Sequence, residues 1–409
     1  MTIRLQSLRL FAFMALLALP SCFATLANAQ QLEYQAIQIP TISTNGGFVE
    51  PRDIDTITID DIDHIIVVGE HTPDGPDSVG FVYDHDGVIG DPGTVYSLDQ
   101  WIPHSGLGWS KSRCSGLNTQ GQVVGLLEKV VNGERVRVGF YLDLDIFAAT
   151  PTPTWEYLPE PAGSTFSYGR DINNNGDVLA KFSLGGVQHA YLFNPTTETE
   201  YNTLKDPATG APLTVNDATL NDFRQVAGQH GGGGGTFLLN PGVSLETLPL
   251  AYANGINNIG TVIGSADQTV ETGTGKKTTT TTLSVAAQVT FDGLEPLNDT
   301  SSGSSDINPS GDVIGKEYVG RNLVFLSHSE LGLLYLDELV TGSQGDMDFW
   351  FSADTSWLGH LPTLNSRNSS GFGPIAVAAR KSTTSGKGKN QTTTVERRCF
   401  MLIPVWTTP

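Results

Sequence analysis

The chain is 409 residues long, with 46 glycines, 22 prolines, 39% apolar and only 16% charged residues. That composition excludes a long helical bundle, a collagen-like repeat and a disordered chain. A formal net charge of -20 excludes duplex nucleic acid and an anionic membrane surface as primary partners, since both would repel it.

Arg4 and Arg9 give a basic start, and Leu10 to Leu19 is an apolar run too short to span a bilayer. Ala27-Asn28-Ala29 is a small-x-small cleavage site. Residues 1–29 are therefore expected to be a signal peptide, and 30–409 one secreted domain, extracellular or periplasmic. A lipoprotein site at Leu19-Pro20-Ser21-Cys22 competes with this reading, but Pro20 fits it poorly. No later apolar stretch reaches bilayer length, so no membrane insertion is expected. Cys114 and Cys399 remain after cleavage, and they are expected as two free, buried thiols, with a single disulfide between them as the alternative.

A short motif then recurs: apolar, Asn, two variable residues, Gly, one variable residue, an apolar pair, then Gly or Ala. Its copies are centred on Asn118, Asn173, Asn221, Asn257 and Asn308. Weaker copies run from Ile59-Asp60-Asp61 to Gly69 and from Leu364-Asn365 to Ala378. The asparagines from 118 to 365 are spaced 36 to 57 residues apart, in the range of a propeller blade with unequal loops. Asn tolerates left-handed backbone and bonds nearby main chain, and Gly takes positive φ without a Cβ clash. The β-branched residues that follow favour a strand. Each copy reads as strand, tight turn, strand.

A further strand follows each copy, for example Val138 to Leu142 and His189 to Phe193. Asn132-Gly133 between β-rich arms is a strong hairpin signal. The Thr-rich flanks 278–282 and 392–394 read as long hairpins of the fifth and seventh units, with a disordered linker as the alternative. A Leu-rich strand completes six units, as in Thr94 to Leu98. The seventh lacks one, and Leu32 to Ile39 is an unassigned alternating strand. The expected fold is all-β, a seven-bladed β-propeller closed by its N-terminal strand, which leaves no open array ends. An open β-solenoid is the alternative.

The Ile-Asn-x-x-Gly-x-Val-Val-Gly turn, followed by His189-Ala-Tyr-Leu-Phe193, resembles the HAF-type extracellular repeat proteins of bacteria. The resemblance covers roughly residues 40 to 403. It is clear in the third, fifth and sixth copies and weak in the first and seventh. It implies a secreted or surface protein with a propeller-like repeat, and it implies no mechanism.

Catalytic motifs are sparse. The chain has no Gly-x-Ser-x-Gly elbow, no His-Glu-x-x-His and no phosphate-binding Gly-x-x-x-x-Gly-Lys. Asp171-Ile-Asn173-Asn-Asn175-Gly176-Asp177 and Asp306-Ile-Asn308-Pro-Ser310-Gly311-Asp312 begin like calcium loops. The closing acid would be Ser183 or Tyr318, so turn capping is the competing reading and no cofactor is expected. The loop into the second blade carries Trp101, His104 and Trp109; the loop into the seventh carries Trp350, Trp357 and His360. Exposed aromatics there suit a sugar or a protein partner, and a locally packed core is the alternative. The expected function is a secreted, monomeric, non-catalytic module that binds a glycan or protein through its loop face. The second hypothesis is a polysaccharide-active enzyme using carboxylates in the central channel.

Overall fold

The computed structural model describes residues 31–42, 47–73, 78–102, 105–146, 152–272, 279–318, 323–329, 331–341, 363–364, 373–385 and 392–407. Among these residues, seven small sheets are arranged as a seven-bladed β-propeller. Blades 1 to 6 occupy residues 48–97, 111–157, 164–203, 215–248, 252–296 and 302–335, each a four-stranded meander in chain order. The first strand of each blade is the inner one, and its free edge faces the axis.

Blade 7 closes the ring. Its inner strand Thr363–Leu364 pairs with Ile375–Ser385, which pairs with Thr392–Thr407. The N-terminal strand Gln31–Gln38 then adds antiparallel to Thr392–Thr407, from Gln31 opposite Thr407 to Gln38 opposite Phe400. This is the closure expected from the missing seventh Leu-rich strand. One element was not legible in the sequence: Val340–Thr341 adds in parallel outside the N-terminal strand, with Tyr34 opposite Val340. The three adjoining segments share a core in which Leu32, Tyr34, Phe400 and Leu402 are buried with Ile314 and Leu326 of blade 6.

The blades hold together by apolar packing face to face. Between blades 3 and 4, Leu179, Leu192, Leu220, Val226, Phe237 and Leu239 form one buried cluster. Each such side chain stabilises the fold by about 1.5–3 kcal/mol relative to its exposed state. The long hairpins of the fifth and seventh blades are strand-paired up to Thr272 opposite Thr279 and Ser385 opposite Thr392.

The motif's last glycine has a different task from its turn glycine. Gly125 lies in the second strand of blade 2, where a Cβ would sit 1.9 Å from the Arg113 carbonyl and 2.8 Å from the Phe140 ring. Gly315 likewise lies under the Phe325 ring. Opposite this glycine or alanine, the inner strands of blades 1, 2, 3, 5 and 6 each carry a β-bulge, at Arg52, Ser115, Arg170, Asn254 and Ser305. In blade 4 the bulge falls at Asn216, two pairing steps further from the Asn turn.

Candidate functional site

Two polar layers line part of the axis. The first is built by the Asn turns. Asn118 Nδ2 donates to the Asn173 carbonyl at 2.8 Å, Asn173 Nδ2 to the Asn221 carbonyl at 3.0 Å, and Asn221 Nδ2 to the Asn257 carbonyl at 3.0 Å. Each Nδ2 also reaches the residue four positions on: Gln122, Asp177 or Gln225. The Oδ1 atoms accept main-chain N–H groups of their own turns, as Asn173 does from Asn175 and Asp177. The next residues form a parallel ladder, in which Asn174 N donates to Asp222 Oδ1 and Asp222 N to Asn258 Oδ1.

The calcium reading is met by these same bonds. Asp171 Oδ1 accepts from Ile172 N, while Asp171 Oδ2 accepts from Leu220 N and the Thr219 hydroxyl of the next blade. Asn308 Nδ2 donates to Asp312 Oδ2 at 2.8 Å, and Asp312 N donates back to Asn308 Oδ1. These oxygens are held by protein donors, which is turn and blade capping, and Asp312 Oδ1 lies 3.4 Å from His328 Nε2. No metal-binding group of three or more His, Cys, Asp or Glu is present among the described residues.

The second layer is formed by the bulge residues and their neighbours, and its charge is uneven. Arg52, Arg113 and Arg170 stand on the inner strands of blades 1, 2 and 3. Arg52 pairs with Glu50 at 2.6 Å and Glu70 at 2.7 Å. Arg170 grips Asp217 of blade 4 through Nε at 2.8 Å and Nη2 at 3.4 Å. Lys181, buried, lies 3.8 Å from the same carboxylate and donates to the Asn216 carbonyl. The three arginines stand on the inner strands of adjacent blades, and the charges of Arg52, Glu70 and Arg170 bear on Arg113.

These groups are deep and yet reach water, which is the condition of a channel wall. Burial opposes ionisation of Asp217, but the Arg170 guanidinium and then Lys181 outweigh it and hold the carboxyl at about 2; half of that side chain is nevertheless exposed. Burial also works against ionised Glu70, and Arg52 and Arg113 overcome it, so this carboxyl too lies below its usual range. Asp217 chiefly raises the Arg170 pKa against desolvation. The Arg113 pKa is lowered, first by desolvation and then by Arg52.

The loop aromatics expected to bind ligand divide into two groups. Trp109 is buried, donates from Nε1 to the Tyr157 hydroxyl at 3.3 Å, and carries the Lys129 ammonium 4.2 Å above its ring. Trp101 is half-buried against Tyr96, with ring centroids 5.5 Å apart. Both belong to the core between blades 1 and 2, with Leu98, Ile102 and Phe140. His104, Trp350, Trp357 and His360 lie outside the described residues. The signal that could have pointed to these inner-strand arginines was present in the sequence: all three, at 52, 113 and 170, stand five or fewer residues before the Asn position in a chain with only 23 basic residues. It was missed because the Asn position of blade 1 was read from Asp60-Asp61. Asp55 occupies it, and the blade 1 hairpin continues beyond to a turn with positive φ at Asp60 and Asp61.

Cys114 and Cys399 are free and buried, and burial pushes both thiols far above their usual range. Among the described residues no helix is long and apolar enough to cross a membrane.

No family model and no curated protein matches the chain. Solved structures do match at low identity. A structure of YCF48 bound to D1 peptide is 14% identical, covering 78% of this chain and 88% of that one, with a TM-score of 0.42. Trypanosoma rangeli sialidase in complex with sialic acid is 7% identical, covering 92% of this chain and 58% of that one, with a TM-score of 0.42. Virginiamycin B lyase from Staphylococcus aureus is 8% identical over 72% of this chain and 96% of that one, with a TM-score of 0.30.

Proposed function

We propose that this chain is a secreted, monomeric binding module that takes a glycan or protein ligand at the axial end of its propeller and does not transform it. The observation that carries this reading is the uneven second layer. A chain of net charge -20 gathers Arg52, Arg113, Arg170 and Lys181 beside the axis, where side chains are both deep and wet. A few fixed polar groups held in place by the fold are what orient a bound ligand. The signal-peptide reading of residues 1–29 and the resemblance to HAF-type extracellular repeat proteins support an extracellular or periplasmic location.

The charge states favour binding over hydrolysis. A glycosidic carboxyl pair needs one member with a raised pKa to serve as acid. At this site Glu70 and Asp217 are instead pulled down by guanidinium groups. A glycan array and a panel of immobilised extracellular proteins, read beside a hydrolysis and lyase screen, test the proposal. Retention of an unaltered ligand supports it, and turnover of a bound glycan contradicts it.

A further inference from the structure

The Asn turns of blades 4 and 5 depart from their own repeat. The residue two places after the Asn is Gln120 in blade 2 and Asn175 in blade 3. Each folds onto the next turn, Gln120 Nε2 donating to the Asn174 carbonyl and Asn175 Nδ2 to the Asp222 carbonyl, both at 2.6 Å. The same place holds Phe223 in blade 4 and Ile259 in blade 5. Neither side chain can donate, and they stand 70% and 78% exposed. Their turns touch: Asp222 N donates to Asn258 Oδ1 at 2.9 Å, and Asn258 Nδ2 to Asp222 Oδ2 at 2.6 Å. Strand alternation brings the turns between third and fourth strands to this same end of the propeller. Those of blades 4 and 5 carry Val243, 79% exposed, and Phe291, fully exposed. Gln225 Nε2 ties the two turns of blade 4 together through Asn240 Oδ1 at 2.7 Å. Single exposed apolar side chains are ordinary, but four gathered on neighbouring turns mark an interaction surface.

Charge selects what covers this surface. The turns at this end carry Asp60, Asp86, Asp145, Glu200, Asp222 and Asp292. Among the described residues Arg224 is the one Lys or Arg in them, and Glu198 and Asp177 hold it at 3.1 and 3.7 Å. A second copy placed face to face is repelled, and so is an anionic membrane. Ile259 and Val243 offer a sugar ring no aromatic face. A cationic chain with apolar side chains of its own meets both features. Its apolar residues cover the patch, and its basic residues meet the acids around it. We infer that the turn end of blades 4 and 5 docks a basic, amphipathic segment of a partner protein, with Phe223 and Ile259 as anchors. The surface lies on turns and not on the arginine-bearing inner strands, so this inference stands apart from the ligand reading above.

Fluorescence anisotropy of a short labelled amphipathic Lys/Leu peptide with the mature chain tests the assignment, beside a Lys/Ser peptide of equal charge and a Glu/Leu peptide. The Lys/Leu peptide is expected to bind about tenfold or more tightly than either of the others. Phe223→Asn combined with Ile259→Asn puts an amide where blade 3 already has one. That double variant is expected to melt at or above the parent's temperature and to lower Lys/Leu affinity about tenfold or more. Val130→Asn, at a side chain 60% exposed on the opposite end, is the control and is expected to change nothing. If the double variant does not fold, Val243→Ser combined with Phe291→Ser carries the comparison. Undiminished affinity in the variant, equal binding of the Lys/Ser peptide, tight binding of the Glu/Leu peptide or no binding of any of the three overturns the assignment. So does a dimer of the parent in sedimentation that the double variant abolishes, because the patch then covers itself.

Discussion

The side-chain amide of Asn173 donates to the main-chain carbonyl of Asn221, 48 residues later and one blade on, at 3.0 Å. The same Asn173 amide reaches Asp177 Oδ2 at 3.0 Å, while its Oδ1 accepts the N–H of Asn175 and Asp177. One residue thus shapes its own turn and fastens it to its neighbour. Repetition at Asn118 and Asn221 makes the turns a continuous belt from blade 2 to blade 5.

Truncating this link exposes its worth. Asn173→Ala leaves the Asp177 N–H and the Asn221 carbonyl unmatched in a buried place, and a cost of about 1–3 kcal/mol is expected. Asn173→Asp should cost more at neutral pH, because it sets a second carboxylate against Asp177 Oδ2. Urea denaturation with an unchanged m-value checks both.

Gly125 tests the close approach of strand and ring. A methyl group there meets the Arg113 carbonyl at 1.9 Å and the Phe140 ring at 2.8 Å. Gly125→Ala should destabilise by about 1–3 kcal/mol or more through overpacking. Gly106 has nothing within 4 Å of an added Cβ and no positive φ, so Gly106→Ala should lie within about 0.5 kcal/mol of the parent. Thermal unfolding of the two variants side by side separates packing from a general effect of replacing glycine.

Arg224 stands where the other complete turns carry glycine, and its φ is 62°. Left-handed backbone costs a non-glycine residue about 1–2 kcal/mol. The half-exposed pairs of Arg224 with Glu198 at 3.1 Å and Asp177 at 3.7 Å return about 0–1 kcal/mol. Glycine adds about 0.4–1 kcal/mol of unfolded-chain entropy. The terms nearly cancel, so Arg224→Gly should be close to neutral, whereas Gly176→Arg, with φ of 78° and no such partners, should be destabilising. Denaturation midpoints of both variants decide this.

The Arg170–Asp217 pair sets an acid-side dependence. The Asp217 carboxyl is at about 2 in the folded protein, against about 3.9 in an unfolded chain. A lowered pKa contributes stability that is complete above the unfolded value and is lost as pH falls through the folded one. Asp217→Asn should therefore be less stable than the parent at neutral pH by a constant amount. The gap should close between about pH 4 and pH 2. Unfolding free energies across that window check it, and a gap that widens on acidification would contradict the pairing.

Much of the ring could be read from the chain because its punctuation is local. Asn118, Asn173, Asn221, Asn257 and Asn308 each close a turn with bonds inside five residues, so the motif carries its own structure. The N-terminal strand was legible by counting, since Leu32 to Ile39 alternates like an outer strand and the last unit lacked one. The inner bulges and the fifth strand of blade 7 were not legible, because a bulge at Arg170 depends on what Ala180 presents opposite, and Val340–Thr341 pairs far along the chain with Tyr34 and Gln35. The surroundings of the loop tryptophans were not legible for a related reason. Trp101 and Trp109 sit in connecting segments, and only the fold shows them resting on Tyr96 and Tyr157 rather than standing free. Glycine serves the tight turns, and at Gly125 and Gly315 it also marks strands that must let a neighbouring ring lie flat.

Closure of the ring by residues 31–38 is the claim on which the fold and its axial site both depend. Hydrogen–deuterium exchange on the mature chain measures it directly. Main-chain amides of 31–38 should exchange as slowly as those of the third strand they pair with, Phe400 to Thr407, and the two segments should open together. Exchange of 31–38 at the rate of an unstructured tail, with 400–407 still protected, would contradict the closed ring.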